Sequence, residues 1–204
     1  TYYDKPPWYS FRNLIAIVTI EYGVTSIGSC SFMHCMKIKS VLIPSSVTEI
    51  KNDSFRQCNS ITKISIPNGV VSIEHYAFES CTSLISITIP SSVTFIGTEV
   101  FVYCFKLESI LVSEFNKVYK SIDGVLFSKD QKILLVYPPN KNITHYDVPF
   151  TVTSIEKYAF FKCQKLISIS IDSVQSIGKK SFESCFNLIM VNAPNNLKLI
   201  GDNA

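Results

Sequence analysis

The sequence predicts an α/β-type repeat solenoid that is rich in β-structure, in which short parallel strands and single helical or 3-10 turns stack in register. Three observations support this fold class. Cysteines recur at a fixed spacing, a phenylalanine precedes six of the seven, and alternating apolar residues precede each phenylalanine. A repeat of this size is too small to bury its own apolar side, so it must stack on its neighbours. We therefore expect one continuous core.

The cysteine spacing sets the repeat length. One constant step leads from Cys35 to Cys58, then to Cys81 and to Cys104. The wider interval from Cys104 to Cys163 equals one such step plus a longer, divergent repeat. The expected organisation is an N-terminal cap segment, 1–14, followed by a single solenoid, 15–204, with repeats 15–37, 38–60, 61–83, 84–106, the divergent 107–142, 143–165, 166–187 and the truncated 188–204.

Each repeat combines a strand, a turn and a compact corner. In Ser86–Ile89, apolar and polar residues alternate and β-branched side chains are frequent, which is typical of a strand. Pro90 cannot donate to a strand ladder, so it ends the strand. Val93 and Ile96 then point inward again. The A-F-x-x-C segment, such as Ala77–Cys81, is expected to form one tight helical or 3-10 turn.

The divergent repeat predicts a hairpin. The apolar runs Val125–Ser128 and Ile133–Tyr137 are separated by the four polar residues 129–132. This pattern is typical of a β-hairpin with a four-residue loop. We expect the hairpin to project from the stack and to be available to a partner.

Composition excludes several classes of protein. The chain has 204 residues, of which 47% are hydrophobic and 17% charged, so intrinsic disorder is not expected. Its longest apolar runs are far shorter than the roughly 18 residues of a membrane-spanning helix. The net charge of +3 is dispersed, so no nucleic-acid partner is expected. The glycine-rich patterns of phosphate and dinucleotide sites are absent, and we expect no cofactor.

The repeat resembles a known family. The carriers are the segments ITKISIPNGVVSIEHYAFESC and LISITIPSSVTFIGTEVFVYC, which are similar to the BspA-like, or Treponema pallidum-type, leucine-rich repeat. The resemblance covers 15–204, and the insert YKSIDGVLFSKDQKILLVYPP is similar to a variant unit found inside such arrays. It implies a right-handed, curved leucine-rich-repeat solenoid. It also implies a surface-exposed or secreted adhesion protein, of a kind that anaerobic bacteria and protozoan parasites carry and that in some cases binds host matrix proteins.

Two interpretations of the cysteines are open. They form either a disulfide or metal framework, or a column of buried free thiols that act as small hydrophobic side chains. Only Cys30 and Cys35 lie close together in sequence, and no second pair follows, so we favour the buried column and expect no metal. Cys30 falls outside the repeat pattern and has no assigned role.

The candidate functional surface is the strand face that points away from the core. Outward positions are the third and fifth of each repeat, and most are small and polar. This pattern fits either a plain solvated face or an extended surface for a partner. The candidate residues are Ser40, Leu42, Lys63, Ser65, Ser86, Thr88, Ser109, Leu111, His145, Asp147, Ser168 and Ser170.

One group on this face contains the side chains of a hydrolase triad. His145 and Asp147 share a face, and Ser168 and Ser170 lie one coil further on. Ser–His–Asp chemistry also needs a pocket and an oxyanion hole. A flat strand face supplies neither, so we expect no enzymatic activity.

Two further features concern the surface. Asn52 and Asn142 begin N-x-[ST] sequons at expected turns and are candidate glycosylation sites. Tyr2, Tyr3, Trp8 and Tyr9 crowd the N-terminus, either as a cap on the open end of the core or as an aromatic patch for a sugar or another partner.

The function expected from the sequence is therefore a non-enzymatic module that binds a protein or glycan. It would belong to a cell-surface or secreted protein and act in adhesion or host-cell interaction, with extracellular matrix or a cell surface as the partner. The alternative is an intracellular, cytoplasmic scaffold or assembly protein of the same fold, because free thiols suit a reducing compartment.

Overall fold

A computed structural model describes residues 5–204, so Tyr2 and Tyr3 of the expected aromatic cap lie outside the described residues. The chain divides into two compact units, which are described separately. The N-terminal unit runs to Lys106 and includes Ser113–Lys117, and the C-terminal unit comprises Leu107–Val112 and Val118–Ala204. The expectation of one continuous solenoid over 15–204 stays a prediction.

The N-terminal unit begins with a 3-10 helix, Tyr9–Phe11, and continues in short strands. These are β1 Ile17–Thr19, β2 Ser26–Ile27, β3 Ser40–Leu42, β4 Glu49–Ile50, β5 Lys63–Ser65, β6 Ser72–Ile73, β7 Ser86–Ile89 and β8 Phe95–Ile96. Equivalent strands of successive repeats pair in parallel: β1 with β3, β5 with β7, and β2, β4, β6 and β8 in a row. The register advances by one full repeat at each step, as in Ile27↔Ile50 and Ile50↔Ile73.

The C-terminal unit follows the same plan around the divergent repeat. Its strands are β9 Ser109–Val112, β10 Tyr119–Ile122, β11 Val125–Ser128, β12 Ile133–Val136, β13 His145–Asp147, β14 Ser154–Ile155, β15 Ser168–Ser170, β16 Ser176–Ile177, β17 Met190–Asn192 and β18 Leu199–Ile200. Strands β13, β15 and β17 pair in parallel, and so do β12, β14, β16 and β18.

The hairpin exists but does not project, so that expectation is wrong. Strand β11 pairs antiparallel with both β10 and β12, and β12 continues in parallel into β14. Val125, Phe127 and Leu134 are completely buried. Because the hairpin strands are apolar on both faces, they stabilise the stack only when they lie inside it.

The corner of a regular repeat is not a helical turn, which corrects that part of the expectation. In the described residues the corner bends through two left-handed residues four apart, such as Asp53 (φ 57°) and Gln57 (φ 60°). Cys30 (φ 58°) occupies the first of these positions in its own repeat, which places it off the cysteine column. Corner amides alternate between bonds to the same turn and bonds to the next coil, as Phe55 N–H does to Ala77 O at 2.9 Å. The left-handed residues allow every second corner amide to bond to the next coil. In an α-helix these amides would bond within the helix instead.

A column of aromatic rings runs through each unit. In the N-terminal unit Trp8 stacks on Phe32 at a centroid distance of 5.4 Å, and Phe55 stacks on Phe78 at 5.5 Å with rings 1° from parallel. Trp8 also donates from Nε1 to Ser31 O at 2.7 Å, so its ring lies on the first aromatic position of the column. These contacts align neighbouring repeats ring on ring.

In the C-terminal unit the column begins with a tyrosine rather than a phenylalanine. Tyr137 stacks on Phe160 at 4.9 Å, and Phe160 stacks on Phe182 at 4.9 Å. Tyr137 stands one regular repeat length before Phe160, so the divergent repeat keeps the register at this position.

Buried cysteine thiols form hydrogen bonds between coils. Cys58 Sγ donates to Phe32 O at 3.1 Å, and Cys81 Sγ donates to Phe55 O at 3.2 Å. All seven cysteines are free thiols, and burial raises the pKa of Cys81 to about 12. A buried thiol of this kind remains protonated and bonds one coil to the next.

Each unit is a β-solenoid stack, and the described residues contain no α-helix, so the α/β part of the expected fold class is wrong while the stack of parallel strands is confirmed. The physical reason lies in the corners. Once its two strands and the turn between them are placed, a repeat such as 61–83 leaves only a short segment for its corner, 76–82. A segment of that length is too short for an independent α-helix.

Candidate functional site

The outward face of the N-terminal unit lies on β1, β3, β5 and β7. Burial alternates strictly along β3 and β5: Val41 and Ile64 are buried, whereas both of their neighbours on each strand are exposed. The pairing aligns the outward residues in rows, with Lys63 beside Ser86 and Ser65 beside Thr88. Ser40, Leu42, Lys63, Ser65 and Thr88 are exposed and Ser86 is half-buried. A binding role for these residues stays a prediction.

This face carries exposed apolar side chains at its N-terminal edge. Ile17 is 73% exposed and Leu42 is 63% exposed, and they lie on the paired strands β1 and β3. Phe11 and Leu14, which precede β1, are also largely exposed. The sequence patterns did not single out Phe11 and Leu14 because both lie outside the repeat. Water-exposed apolar side chains in a group favour a contact surface.

In the C-terminal unit the predicted face residues of β9 are partly covered. Gly124 packs so closely on Ser109 that a Cβ on Gly124 would lie 2.8 Å from Ser109 Cβ. Ile110 N–H donates to Gly124 O at 2.8 Å, which fixes the turn between β10 and β11 against β9. Ser109 is therefore half-buried, while Leu111 stays exposed.

Strands β13 and β15 bring three of the predicted residues together. His145 Nδ1 lies 2.7 Å from Ser168 Oγ, and His145 Nε2 lies 2.9 Å from Asp147 Oδ1. The pairing places His145 beside Ser168 and Asp147 beside Ser170, as the repeat spacing predicts. The side chains of His145 and Asp147 are 50% and 75% exposed, so the group lies open to solvent.

This geometry does not supply the remaining parts of a hydrolase. An oxyanion hole needs backbone N–H groups that point at the reacting oxygen. The N–H groups of Ile167 and Ser168 both donate to Thr144 O, at 2.7 and 3.0 Å. The nucleophile position therefore has no free donor of its own, and the exposed imidazole lacks the water-excluded pocket that acyl transfer requires.

The two sequons differ in accessibility. Asn142 is exposed in a bend between β12 and β13. Asn52 is half-buried, and its Oδ1 is buried without a hydrogen-bond partner. Glycosylation stays a prediction for both, and Asn142 is the better presented acceptor.

Among residues 5–204, no group of three His, Cys, Asp or Glu side chains is arranged to hold a metal ion. In the same part of the chain, no helix is long and apolar enough to cross a bilayer.

Comparison with known proteins identifies the family. The model of the BspA type leucine rich repeat region matches residues 7–133 and 139–204 in six copies. This chain therefore belongs to the BspA-type leucine-rich-repeat family. No curated protein matches it.

Solved structures agree with this assignment. A leucine-rich repeat protein from Eubacterium ventriosum is 26% identical, with a TM-score of 0.71, and the match covers 95% of this chain and 63% of that protein. A leucine rich cell surface protein from Faecalibacterium prausnitzii is 31% identical, with a TM-score of 0.71 and coverage of 90% and 56%. The pneumococcal vaccine antigen PcpA shares the fold at 24% identity, with a TM-score of 0.67 and coverage of 92% and 47%. The chain thus spans about half to two thirds of the length of these proteins.

Proposed function

We propose that this chain is a non-enzymatic binding module of a cell-surface or secreted protein and that its exposed strand faces contact a protein or glycan partner. The observation that carries the proposal is the alternation of burial along the face strands β1, β3 and β5. Inward residues such as Val41 are buried, and outward residues such as Leu42 are left in water although they are apolar. The similarity to a leucine rich cell surface protein supports the surface location.

The adhesion role rests on the same faces. A surface built from many short parallel strands presents rows of side chains over several coils, which suits extended partners better than small substrates. Matrix proteins and cell-surface glycans are extended partners of this kind, so we place them first among the ligands.

The test is a binding screen of the purified chain against extracellular-matrix proteins and cell-surface glycans. Thr88→Arg in the N-terminal unit and Ser170→Arg in the C-terminal unit place a bulky charge on each face. Thr94→Arg is the matched control, because Thr94 is exposed but precedes β8, outside the face strands.

We expect one face variant to lose binding by at least about tenfold, which is ~1.4 kcal/mol, while its melting temperature and the binding of the control stay unchanged. Full binding by both face variants would show that the strand faces are the wrong surface. If the control Thr94→Arg loses binding to the same extent as the face variants, the added charge and not its position on the face explains the loss.

A further inference from the structure

The His145–Asp147–Ser168 group has a property that the binding proposal does not use: its hydrogen bonds are directed. A carboxylate only accepts, so His145 Nε2 carries the proton that lies between the ring and Asp147 Oδ1 at 2.9 Å. In a neutral imidazole the other nitrogen is then an acceptor. Ser168 therefore donates its hydroxyl proton to Nδ1 across 2.7 Å.

The direction of these bonds decides what the group offers to a partner. The hydroxyl proton of Ser168 is committed to the ring, so Ser168 Oγ presents only lone pairs to solvent. Asp147 keeps one carboxylate oxygen outside the His145 bond and presents only lone pairs as well. With the imidazole neutral, the group forms an acceptor-only patch that is held in place across two strands and includes the Asp147 carboxylate.

An apolar side chain flanks this patch. Met190 is paired with Ser168 in the register of β15 and β17 and is 53% exposed. Ile167 and Ile189, which precede these strands, are also exposed. Lys165 lies three positions before Ser168 in the sequence. It is directed elsewhere, because its Nζ donates to Asn140 O at 3.1 Å.

We propose that this patch binds an arginine side chain of a protein partner. Its guanidinium would donate to Asp147 and Ser168, and its aliphatic stem would lie on Met190. The inference rests on the proposed binding function and names the chemistry of one contact. A guanidinium has several donors in a planar fork, which match the acceptor atoms of Asp147 and Ser168. Its methylene stem packs on apolar surface such as Met190. A lysine ammonium brings charge without the fork.

The chain offers a sharp probe of this contact. It contains three methionines, Met33, Met36 and Met190, so methyl-labelled methionine gives three assignable resonances, with Met190→Leu to identify the site. Met36 is exposed in the N-terminal unit and reports non-specific binding. The ligands are the capped tripeptides Gly-Arg-Gly, Gly-Lys-Gly and Gly-citrulline-Gly, the last of which is isosteric with arginine but uncharged.

We expect the arginine peptide to shift the Met190 methyl resonance in a saturable way and the Met36 resonance hardly at all. Lysine should bind more weakly and citrulline least. Asp147→Asn should weaken the arginine peptide about two- to five-fold, as removal of an exposed ion pair does. Asp172→Asn removes the same charge from an exposed residue of the same unit outside the group and should have no effect.

Equal shifts by arginine and citrulline, or unchanged arginine binding in Asp147→Asn, would overturn the proposal. Shifts of Met190 by methyl glycosides in place of the arginine peptide would assign the patch to sugars and overturn it too. If the arginine peptide does not bind but the screen finds a ligand of the strand faces, the arginine contact is refuted. The proposed binding function is then still supported.

Discussion

Tyr137 tests the packing logic of the aromatic column directly. Among the described residues that stack in the two columns it is the only tyrosine, and the others are Trp8, Phe32, Phe55, Phe78, Phe101, Phe160 and Phe182. The residue is 2% exposed, and its hydroxyl is buried without a hydrogen-bond partner. Burial raises the pKa of the Tyr137 phenol, in keeping with an apolar surrounding. Tyr137→Phe therefore removes an orphaned polar atom while keeping the ring.

The magnitude follows from two opposing terms. An unmade hydrogen bond of a buried group costs about 1–3 kcal/mol. The void left by one oxygen, on the order of 10 Å³, costs about 0.2 kcal/mol at ~24 cal/mol per Å³. The variant should therefore be more stable by about 1–3 kcal/mol, which corresponds to a rise in melting temperature of roughly 2–12 °C for a chain of this size.

The assay is urea unfolding of the wild type, Tyr137→Phe and Tyr146→Phe. Tyr146 contacts the Tyr137 ring at 4.9 Å but is only half-buried, so its variant is the matched control and should change stability little. A loss of stability in Tyr137→Phe would refute the reasoning, because it would mean that the hydroxyl has a bonding partner in solution.

A buried amide, a tight turn and the buried thiols each allow a stability test. Asn116→Ala should destabilise the protein by about 2–4 kcal/mol in urea unfolding, because the buried Asn116 Nδ2 donates to Pro90 O at 2.8 Å and to Val93 O at 2.9 Å; an unchanged midpoint would contradict this. Gly69→Ala should cost about 1–3 kcal/mol, since a Cβ there would lie 2.2 Å from Ser45 O, and a melting temperature equal to the wild type would show that the turn adapts. Burial raises the pKa of Cys35 to about 11 and of Cys81 to about 12, so the thiol contribution to stability is complete below about pH 9 and is lost as the pH rises toward 12. In reductant, the urea midpoint should fall between pH 9 and 11 and fall less steeply in Cys81→Ala, and a flat profile would contradict the burial of the column.

The repeat register was predictable because it depends on spacing alone. Once the coils are of constant length, equivalent residues must lie side by side, and the pairs Lys63↔Ser86 and His145↔Ser168 follow. The inward and outward faces follow from the alternation within strands. Sequence reasoning therefore placed the side chains of His145, Asp147 and Ser168 next to one another.

The corner conformation was not predictable from residue type, whereas the sequence did contain a signal for the burial of the hairpin. The left-handed positions hold Cys30, Asp53, Tyr76 and Glu99 instead of glycine, so no residue type indicates the conformation. The hairpin was placed outside the core although its strands are apolar on both faces, as in Phe127 and Leu134, which argues for burial. The directed hydrogen bonds of His145 depend on side-chain rotamers, which spacing does not fix.

The outward positions are chemically diverse on strands of identical geometry. The third position holds Ser40, Lys63, His145 and Met190, and each lies on a parallel strand paired in the same register. The backbone ladder and the inward residues thus set the fold without help from these side chains. An outward substitution should then change binding without changing stability, whereas an inward one such as Tyr137→Phe should change stability without changing binding. This separation explains why the family can be recognised from the inward residues of the repeat. The partner, in contrast, depends on which outward side chains the face carries.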